Sequence, residues 1–112
     1  MIGQLFAPQT SPLLKQQWHD VMSHNPPMGV AAAARAMGTR PDSTPTLATI
    51  DCPTLLIVGR EDALTPLAPM EEMGRAIRGS RLEIIEGAGH MPPVEQPEAF
   101  IRVIRRFLDT LP

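Results

Sequence analysis

Two short apolar segments of the chain are each followed by a residue that can carry acid–base chemistry. Asp62 comes shortly after residues 54–58, TLLIV, and His90 comes shortly after residues 82–85, LEII. A carboxylate that accepts a hydrogen bond from an imidazole fixes the tautomer of the ring and stabilises its protonated form, while the second ring nitrogen takes a proton from a nucleophile. Asp62 and His90 therefore have the chemistry of two members of a Ser-His-Asp triad.

The segments that precede these residues have the pattern of a β-α-β unit. Residues 54–58 show no alternation of polar and apolar side chains, which is typical of a strand covered on both faces in a parallel sheet. Thr65-Pro66 predicts the start of a helix, with Thr65 as its N-cap, and residues 82–85 predict a second strand. The helix is expected to end near Gly79, and its apolar face comprises Met70, Met73 and Ile77.

The topology of this unit should bring Asp62 and His90 together. Nearly all β-α-β crossovers are right-handed, and the carboxyl ends of their two parallel strands lie at one edge of the sheet. Ligand sites of open α/β sheets collect at that edge. Gly87-Ala88-Gly89 permits a tight turn directly before His90. We therefore expect the two side chains to project from neighbouring loops.

Composition excludes several classes of function. With 112 residues, 43% of them apolar and 20% charged, the chain predicts one small globular domain. Its net charge of −2 offers no basic surface for nucleic acid. The single cysteine, Cys52, excludes an internal disulfide and a multi-cysteine metal site. The apolar runs are too short to span a membrane and the N-terminus lacks a secretion signal, so we expect a cytoplasmic protein without membrane, metal or cofactor.

The flanking segments predict helices. Residues 1–10 suggest an irregular lead-in, and Ser11-Pro12 predicts a helix that ends near residues 23–24. A second helix, from residues 26–27 to 38, is expected to pack on the first as a hairpin with alanine-rich contacts, followed by a connector over residues 40–50. Pro97 predicts a final amphipathic helix whose apolar face comprises Phe100, Ile101, Val103, Ile104, Phe107 and Leu108.

Other residues with functional chemistry have simpler interpretations. Trp18 lies on an apolar helical face and is expected to be a packing residue. His19 and His24 are five residues apart, which does not place two metal ligands on one helical face, so solvated positions are expected. Glu61 competes with Asp62 for the role of the acid. Nucleotide binding through Gly87-Ala88-Gly89 is disfavoured, because no G-x-G-x-x-G motif is present.

The segment with Asp62 and His90 resembles the α/β-hydrolase family. Residues 52–59, CPTLLIVG, with Asp62 and Thr65-Pro66, resemble the strand and acid loop of that fold, and Gly87-Ala88-Gly89-His90 with residues 95–98, EQPE, resembles its histidine loop and last helix. Residues 37–50 are similar to 3-oxoadipate enol-lactonases and to the cofactor-free haloperoxidases and esterases.

The resemblance implies a fold and two roles. It implies an α/β fold in which residues 40–112 form the C-terminal part of the core (β-α-β-α, with an incomplete parallel sheet) and residues 1–39 form a helical cap segment. It implies that Asp62 is the triad acid, because the aspartate of the family lies three residues after the glycine, and that His90 is the general base.

The nucleophile of the family has no counterpart in the sequence. The family places it in a Gly-x-Ser-x-Gly elbow, and Ser11, Ser23, Ser43 and Ser80 all lie outside such a motif. Cys52 precedes its strand and is expected at the opposite edge from His90. Two strands alone would also leave unpaired sheet edges.

Two functions therefore stay open. In the first, the chain supplies acid and base for hydrolysis of a small-molecule ester or enol-lactone, is inactive alone, and needs another chain, either an N-terminal half or a second copy of itself. In the second, it is a non-catalytic fragment or interaction module.

Overall fold

The computed structural model describes residues 2–112, so Met1 of the predicted lead-in lies outside it. Six α-helices, one 3₁₀ helix and two strands follow one another along these residues. In chain order they are α1 (Ile2–Leu5), α2 (Pro12–Ser23), α3 (Pro27–Thr39), a 3₁₀ helix (Thr44–Thr49), β1 (Leu55–Gly59), α4 (Leu67–Ala76), β2 (Arg81–Ile85), α5 (Pro92–Glu95) and α6 (Pro97–Leu108).

The two strands form a parallel sheet. Leu55 pairs with Arg81 at its start and Gly59 pairs with Ile85 at its end, so both carboxyl ends lie side by side. The α/β class and the β-α-β-α order predicted from the sequence are confirmed. Within residues 2–112 the sheet has only these two strands, so each strand has one side without a neighbouring strand.

Helices cover the two faces of the sheet. Leu55 and Ile57 pack with Val103 of α6, in a core that also contains Ile85 and Ala88. Leu56 points to the other face, where α4 lies, because successive side chains of a strand alternate between faces. This explains the absence of polar alternation in β1, since both sets of side chains meet a helix.

The start of α4 differs from the prediction. The helix begins at Leu67, after Pro66, and Thr65 is not its cap. The Thr65 hydroxyl donates a hydrogen bond to the Asp62 carboxylate instead. The hydroxyl is thus used as a donor to an ionised acceptor, a strong hydrogen bond, and the N-cap position passes to Pro66.

The lead-in is more ordered than predicted. It contains α1, and the two residues after that helix, Phe6 and Ala7, are among the most buried of the chain. Both contact the loop before His90, where the Phe6 and Ala7 backbone lies against Gly89. The sequence pattern gave no sign of this contact because its partner is remote in the chain.

The next two helices, α2 and α3, are called the helical arm below. Ser11 caps α2 as predicted, by accepting a hydrogen bond from the Leu14 N–H, and Trp18 is half-buried. The expected alanine-rich packing between the helices is wrong, because every residue of α3 is exposed. The division of the chain at residue 39 stays a prediction.

No helix within residues 2–112 combines the length and the apolar character that crossing a membrane requires.

Candidate active site

Asp62 is held by its own loop, residues 60–65, which we call the acid loop. Its Oδ1 accepts hydrogen bonds from the N–H groups of Leu64 at 2.9 Å and Thr65 at 2.8 Å. Its Oδ2 accepts the Thr65 hydroxyl at 2.8 Å. An aspartate that bonds to backbone N–H groups two and three residues ahead forms a compact turn. The carboxylate is thus oriented by residues next to it in the chain.

These hydrogen bonds also set the ionisation of Asp62, whose side chain is only 5% exposed. Burial acts to raise its pKa and is the largest single influence. The hydrogen bonds from Thr65, His90 and Leu64 together outweigh burial, so the pKa of Asp62 lies below its ordinary value. The group is therefore a carboxylate at neutral pH.

His90 lies in the second loop, residues 86–91, which we call the histidine loop. This loop extends the strand pairing beyond the sheet, because Arg60 N–H donates to Ile85 O at 3.0 Å and Glu61 N–H donates to Ala88 O at 2.9 Å. Gly87 has a φ of 70°, in the left-handed region that glycine adopts without strain. The loop turns there and presents the His90 side chain to the acid loop.

The two loops touch at a pair of glycines. A Cβ on Gly59 would lie 2.7 Å from the carbonyl carbon of Ala88, and closer still to the carbonyl oxygens of Ala88 and Gly89. Gly59 therefore lets the two backbones approach to a distance that no other residue permits.

This approach brings the two predicted residues together. His90 Nδ1 is 2.9 Å from Asp62 Oδ2. Because an ionised carboxylate only accepts, the proton of this hydrogen bond lies on Nδ1. Thr65 Oγ1 is 3.1 Å from the same nitrogen and shares the contact. The His90 side chain is 36% exposed, so its ring remains accessible while the carboxylate behind it is buried. In this tautomer Nε2 is unprotonated and can accept a proton.

The other candidates lie elsewhere. Glu61 accepts a hydrogen bond from the Gln9 side chain at 2.6 Å and does not contact the imidazole. Cys52 is exposed and precedes β1, away from its carboxyl end. Three of the serines have other partners: Ser11 accepts from Leu14 N–H, Ser23 donates to Asp20 O, and Ser80 donates to Gly74 O.

The described residues form neither a metal site with three ligands nor an open backbone cradle for phosphate at Gly87 and Gly89. His19 and His24 are both exposed, and His24 bonds to the carbonyl of Asp20. Within the described part of the chain, no three His, Cys, Asp or Glu side chains are placed to hold a metal ion. Gly87 and Gly89 pack against Gln96 and the Phe6–Ala7 backbone, which leaves them no open cradle.

Sequence reasoning missed two residues of this region. Thr65-Pro66 predicts a helix cap at Thr65, although Asp62 is itself a turn signal, because an aspartate side chain can accept hydrogen bonds from backbone N–H groups just ahead of it. Glu95 received no role. Its carboxylate accepts hydrogen bonds from the N–H groups of Gly89 and Met91, on both sides of His90. No local pattern distinguishes such a glutamate from an exposed one.

Comparisons with known proteins identify relatives of the chain. The sequence profile described as the Alpha/beta hydrolase family matches residues 1–103. The chain is 34% identical over 98 residues to 3-oxoadipate enol-lactonase 1 of Acinetobacter baylyi, a match that covers 88% of this chain and 36% of that protein. It is 40% identical over 70 residues to pimeloyl-[acyl-carrier protein] methyl ester esterase of Neisseria meningitidis, covering 62% of this chain and 27% of that protein.

A solved structure extends the similarity to the fold. The thermophilic esterase of Thermogutta terrifontis superposes with a TM-score of 0.92 and 42% sequence identity, over 97% of this chain and 41% of the esterase. The chain thus spans less than half the length of the relatives described here.

Proposed function

The chain belongs to the alpha/beta hydrolase family, and from that premise we propose that Asp62 and His90 are the acid and the general base of a Ser-His-Asp triad that hydrolyses a carboxylic ester or an enol-lactone. The observation that carries this proposal is the 2.9 Å hydrogen bond between Asp62 Oδ2 and His90 Nδ1. It joins a buried carboxylate to an accessible imidazole.

We propose a part in acyl transfer for each group. Asp62 holds the Nδ1–H tautomer, which leaves the Nε2 lone pair of His90 to take the proton of a serine hydroxyl as its oxygen bonds to the carbonyl carbon. The imidazolium then gives that proton to the departing alkoxide oxygen. Water repeats the cycle on the acyl-enzyme, which releases the acid and restores the serine. The Asp62 carboxylate stabilises the imidazolium in both halves.

The nucleophile is proposed to lie outside these 112 residues. Ser11, Ser23, Ser43 and Ser80 are not in a Gly-x-Ser-x-Gly motif, and the strand–elbow–helix that would carry one does not occur in residues 2–112. We therefore expect the 112-residue chain to be inactive alone and to act with residues that supply the serine and the oxyanion hole. We propose that an N-terminal half of the fold supplies them, in the cytoplasm.

The substrate class rests on what the relatives have in common. One relative is named an enol-lactonase, one a methyl ester esterase and one an esterase. A lactone is a cyclic ester, so all three names describe cleavage of a carboxylic ester bond. We propose a small ester or enol-lactone as substrate for this chain on that shared chemistry.

The test is reconstitution. The chain is expressed with a family N-terminal half that carries an intact Gly-x-Ser-x-Gly motif, and hydrolysis of p-nitrophenyl acetate is followed. We expect activity only when both parts are present, and a loss of about 10⁶-fold in kcat in His90→Ala. His24→Ala is the matched control, because His24 is exposed in the helical arm. Unchanged activity in His90→Ala would overturn the assignment of the base.

A different observation favours the alternative, an interaction module without catalysis. The helical arm exposes large apolar side chains, with Met28 81%, Met37 69% and Leu13 69% accessible. Each strand of the sheet also has an unpaired side within residues 2–112. Native mass spectrometry of the purified species separates the two functions. A second polypeptide supports the hydrolase, and a homo-oligomer without esterase activity supports the interaction module.

A further inference from the structure

Glu95 occupies an unusual position between two remote segments of the chain. Its Oε1 accepts hydrogen bonds from Ala7 N–H at 2.6 Å and from the Thr10 hydroxyl at 2.6 Å. Its Oε2 accepts hydrogen bonds from Gly89 N–H at 2.8 Å and from Met91 N–H at 3.2 Å. One carboxylate thus satisfies four donors, two from the N-terminal segment and two from the histidine loop.

The donors in the histidine loop lie on either side of His90. Between them, the N–H of His90 itself donates to Leu5 O at 2.9 Å. Three consecutive N–H groups of this loop are therefore held by acceptors that lie outside it. A change at Glu95 would release two of the three.

The N-terminal segment completes the support. A Cβ on Gly89 would lie 2.7 Å from Ala7 N and 2.8 Å from the Phe6 carbonyl carbon, so the two backbones are in direct contact. Phe6 and Ala7 are almost completely buried there. Glu95 bonds to both sides of this contact and so fixes the segment against the loop.

The charge of Glu95 is matched by N–H and O–H donors. No lysine or arginine of the described residues forms an ion pair with it. Hydrogen bonds to an ionised acceptor are stronger than those between neutral groups, which makes a carboxylate the effective group for holding several backbone donors. Its place at the end of α5, whose backbone begins directly after Met91, keeps the side chain beside the loop.

We propose that Glu95 is a positioning residue for His90, which fixes the backbone on both sides of the histidine and thereby keeps the imidazole on Asp62. The proposal deepens the proposed function, since the value of that orientation rests on His90 being the general base. Glu95 does not itself take part in the proton transfer.

The experiment uses NMR of the 112-residue chain. It follows the Nδ1–H resonance and the tautomer of His90, together with amide exchange at Gly89, Met91 and Val58, whose N–H faces β2 in the parallel register. In Glu95→Ala we expect exchange at Gly89 and Met91 to accelerate about ten- to a hundredfold, with a smaller change at Val58 in β1, and loss of the single Nδ1–H tautomer. Glu95→Gln retains one acceptor oxygen and should give an intermediate result, which also decides the case if Glu95→Ala does not fold.

Glu98→Ala is the matched control, because Glu98 is an exposed glutamate in the first turn of α6. It should leave all signals unchanged. Equal acceleration at Gly89 and Val58, or an unchanged His90 tautomer in both Glu95 variants, would overturn the proposal, since either result shows a role in general stability or none.

Asp62→Asn distinguishes this result from failure of the proposed function. If Asp62→Asn leaves the His90 tautomer unchanged, the acid–base pair itself is wrong, whatever Glu95 does. If Asp62→Asn changes the tautomer and neither Glu95 variant does, only the positioning role fails.

Discussion

The acid loop and the histidine loop hold their functional side chains in opposite ways. Asp62 is fixed by donors two and three residues ahead of it, all within residues 60–65. The backbone at His90 is fixed by groups outside the loop, Leu5 from the other end of the chain and Glu95 from α5, and the loop is joined to Glu61 at Ala88. One loop is therefore a local turn, while the other exists only when several parts of the fold are assembled.

The largest expected effect is at the glycine where the two loops meet. Gly59→Ala places a Cβ against the backbone of Ala88 and Gly89, which cannot move without breaking the hydrogen bond from Glu61 N–H to Ala88 O. We expect a loss of about 3 kcal/mol or more in the free energy of unfolding. Urea unfolding followed by circular dichroism measures it.

Gly74→Ala is the matched control for that substitution. Gly74 lies in α4, and a Cβ there would meet the Leu56 side chain at 3.5 Å, an ordinary contact. Because alanine is the better helix former, this variant should be neutral or stabilised by up to about 1 kcal/mol. Equal destabilisation of both variants would mean that the loops are not in contact at Gly59.

The next effect isolates the acid loop and depends on pH. Asp62→Asn replaces Oδ2 by an amide group that cannot accept from Thr65 or His90, and the expected cost at neutral pH is about 1–3 kcal/mol in the free energy of unfolding. The pKa of Asp62 is lowered in the folded chain. Its stabilising contribution is therefore complete above the unfolded value, about 3.9, and is lost as the pH falls through the lower folded value.

The difference between the two unfolding curves is the informative quantity. Other carboxylates also lose stabilising interactions in acid. The pKa of Asp42 is lowered by its hydrogen bonds from Thr44, and the pKa of Glu86 is lowered by its hydrogen bonds from Arg60. The wild type and Asp62→Asn therefore both lose stability as the pH falls. The difference between wild type and Asp62→Asn should be largest at neutral pH and should shrink below about pH 4. A difference that does not change with pH would contradict an ionised Asp62.

The contrast between the loops also explains what the sequence could predict. The β-α-β unit follows from two apolar runs and their spacing, and the parallel direction of its strands places Asp62 and His90 at the same edge of the sheet. The final helix follows from a proline and an apolar stripe, and it is observed as α6. These features depend on neighbours in the chain or on a general rule of topology.

The burial of the lead-in and the contacts of Glu95, which sequence reasoning missed, depend on remote partners. Ala7 and Glu95 are 88 residues apart, and no pattern at either position indicates the other. The lead-in was therefore expected to be irregular, although Phe6 and Ala7 are buried in the fold. In α3 the error is the reverse, since an apolar, alanine-rich pattern predicts packing but every residue of the helix is exposed.

The smallest expected effect concerns Thr65, the residue of the acid loop that contacts both Asp62 and His90. Thr65→Val removes a hydroxyl that donates to Asp62 Oδ2 and lies 3.1 Å from His90 Nδ1, while the isosteric side chain keeps its volume. Thr65 is exposed, so water can replace part of this contact, and we expect a loss of about 0.5–1 kcal/mol in urea unfolding. Thr65→Ser retains the hydroxyl and should restore most of the lost stability.

Thr44→Val is the matched control, because the Thr44 hydroxyl bonds to Asp42 in an exposed turn. If Thr44→Val and Thr65→Val lower the free energy of unfolding equally, the Thr65 hydroxyl stabilises the buried carboxylate no more than a hydroxyl in an exposed turn does. The acid loop would then hold Asp62 through its backbone N–H groups alone.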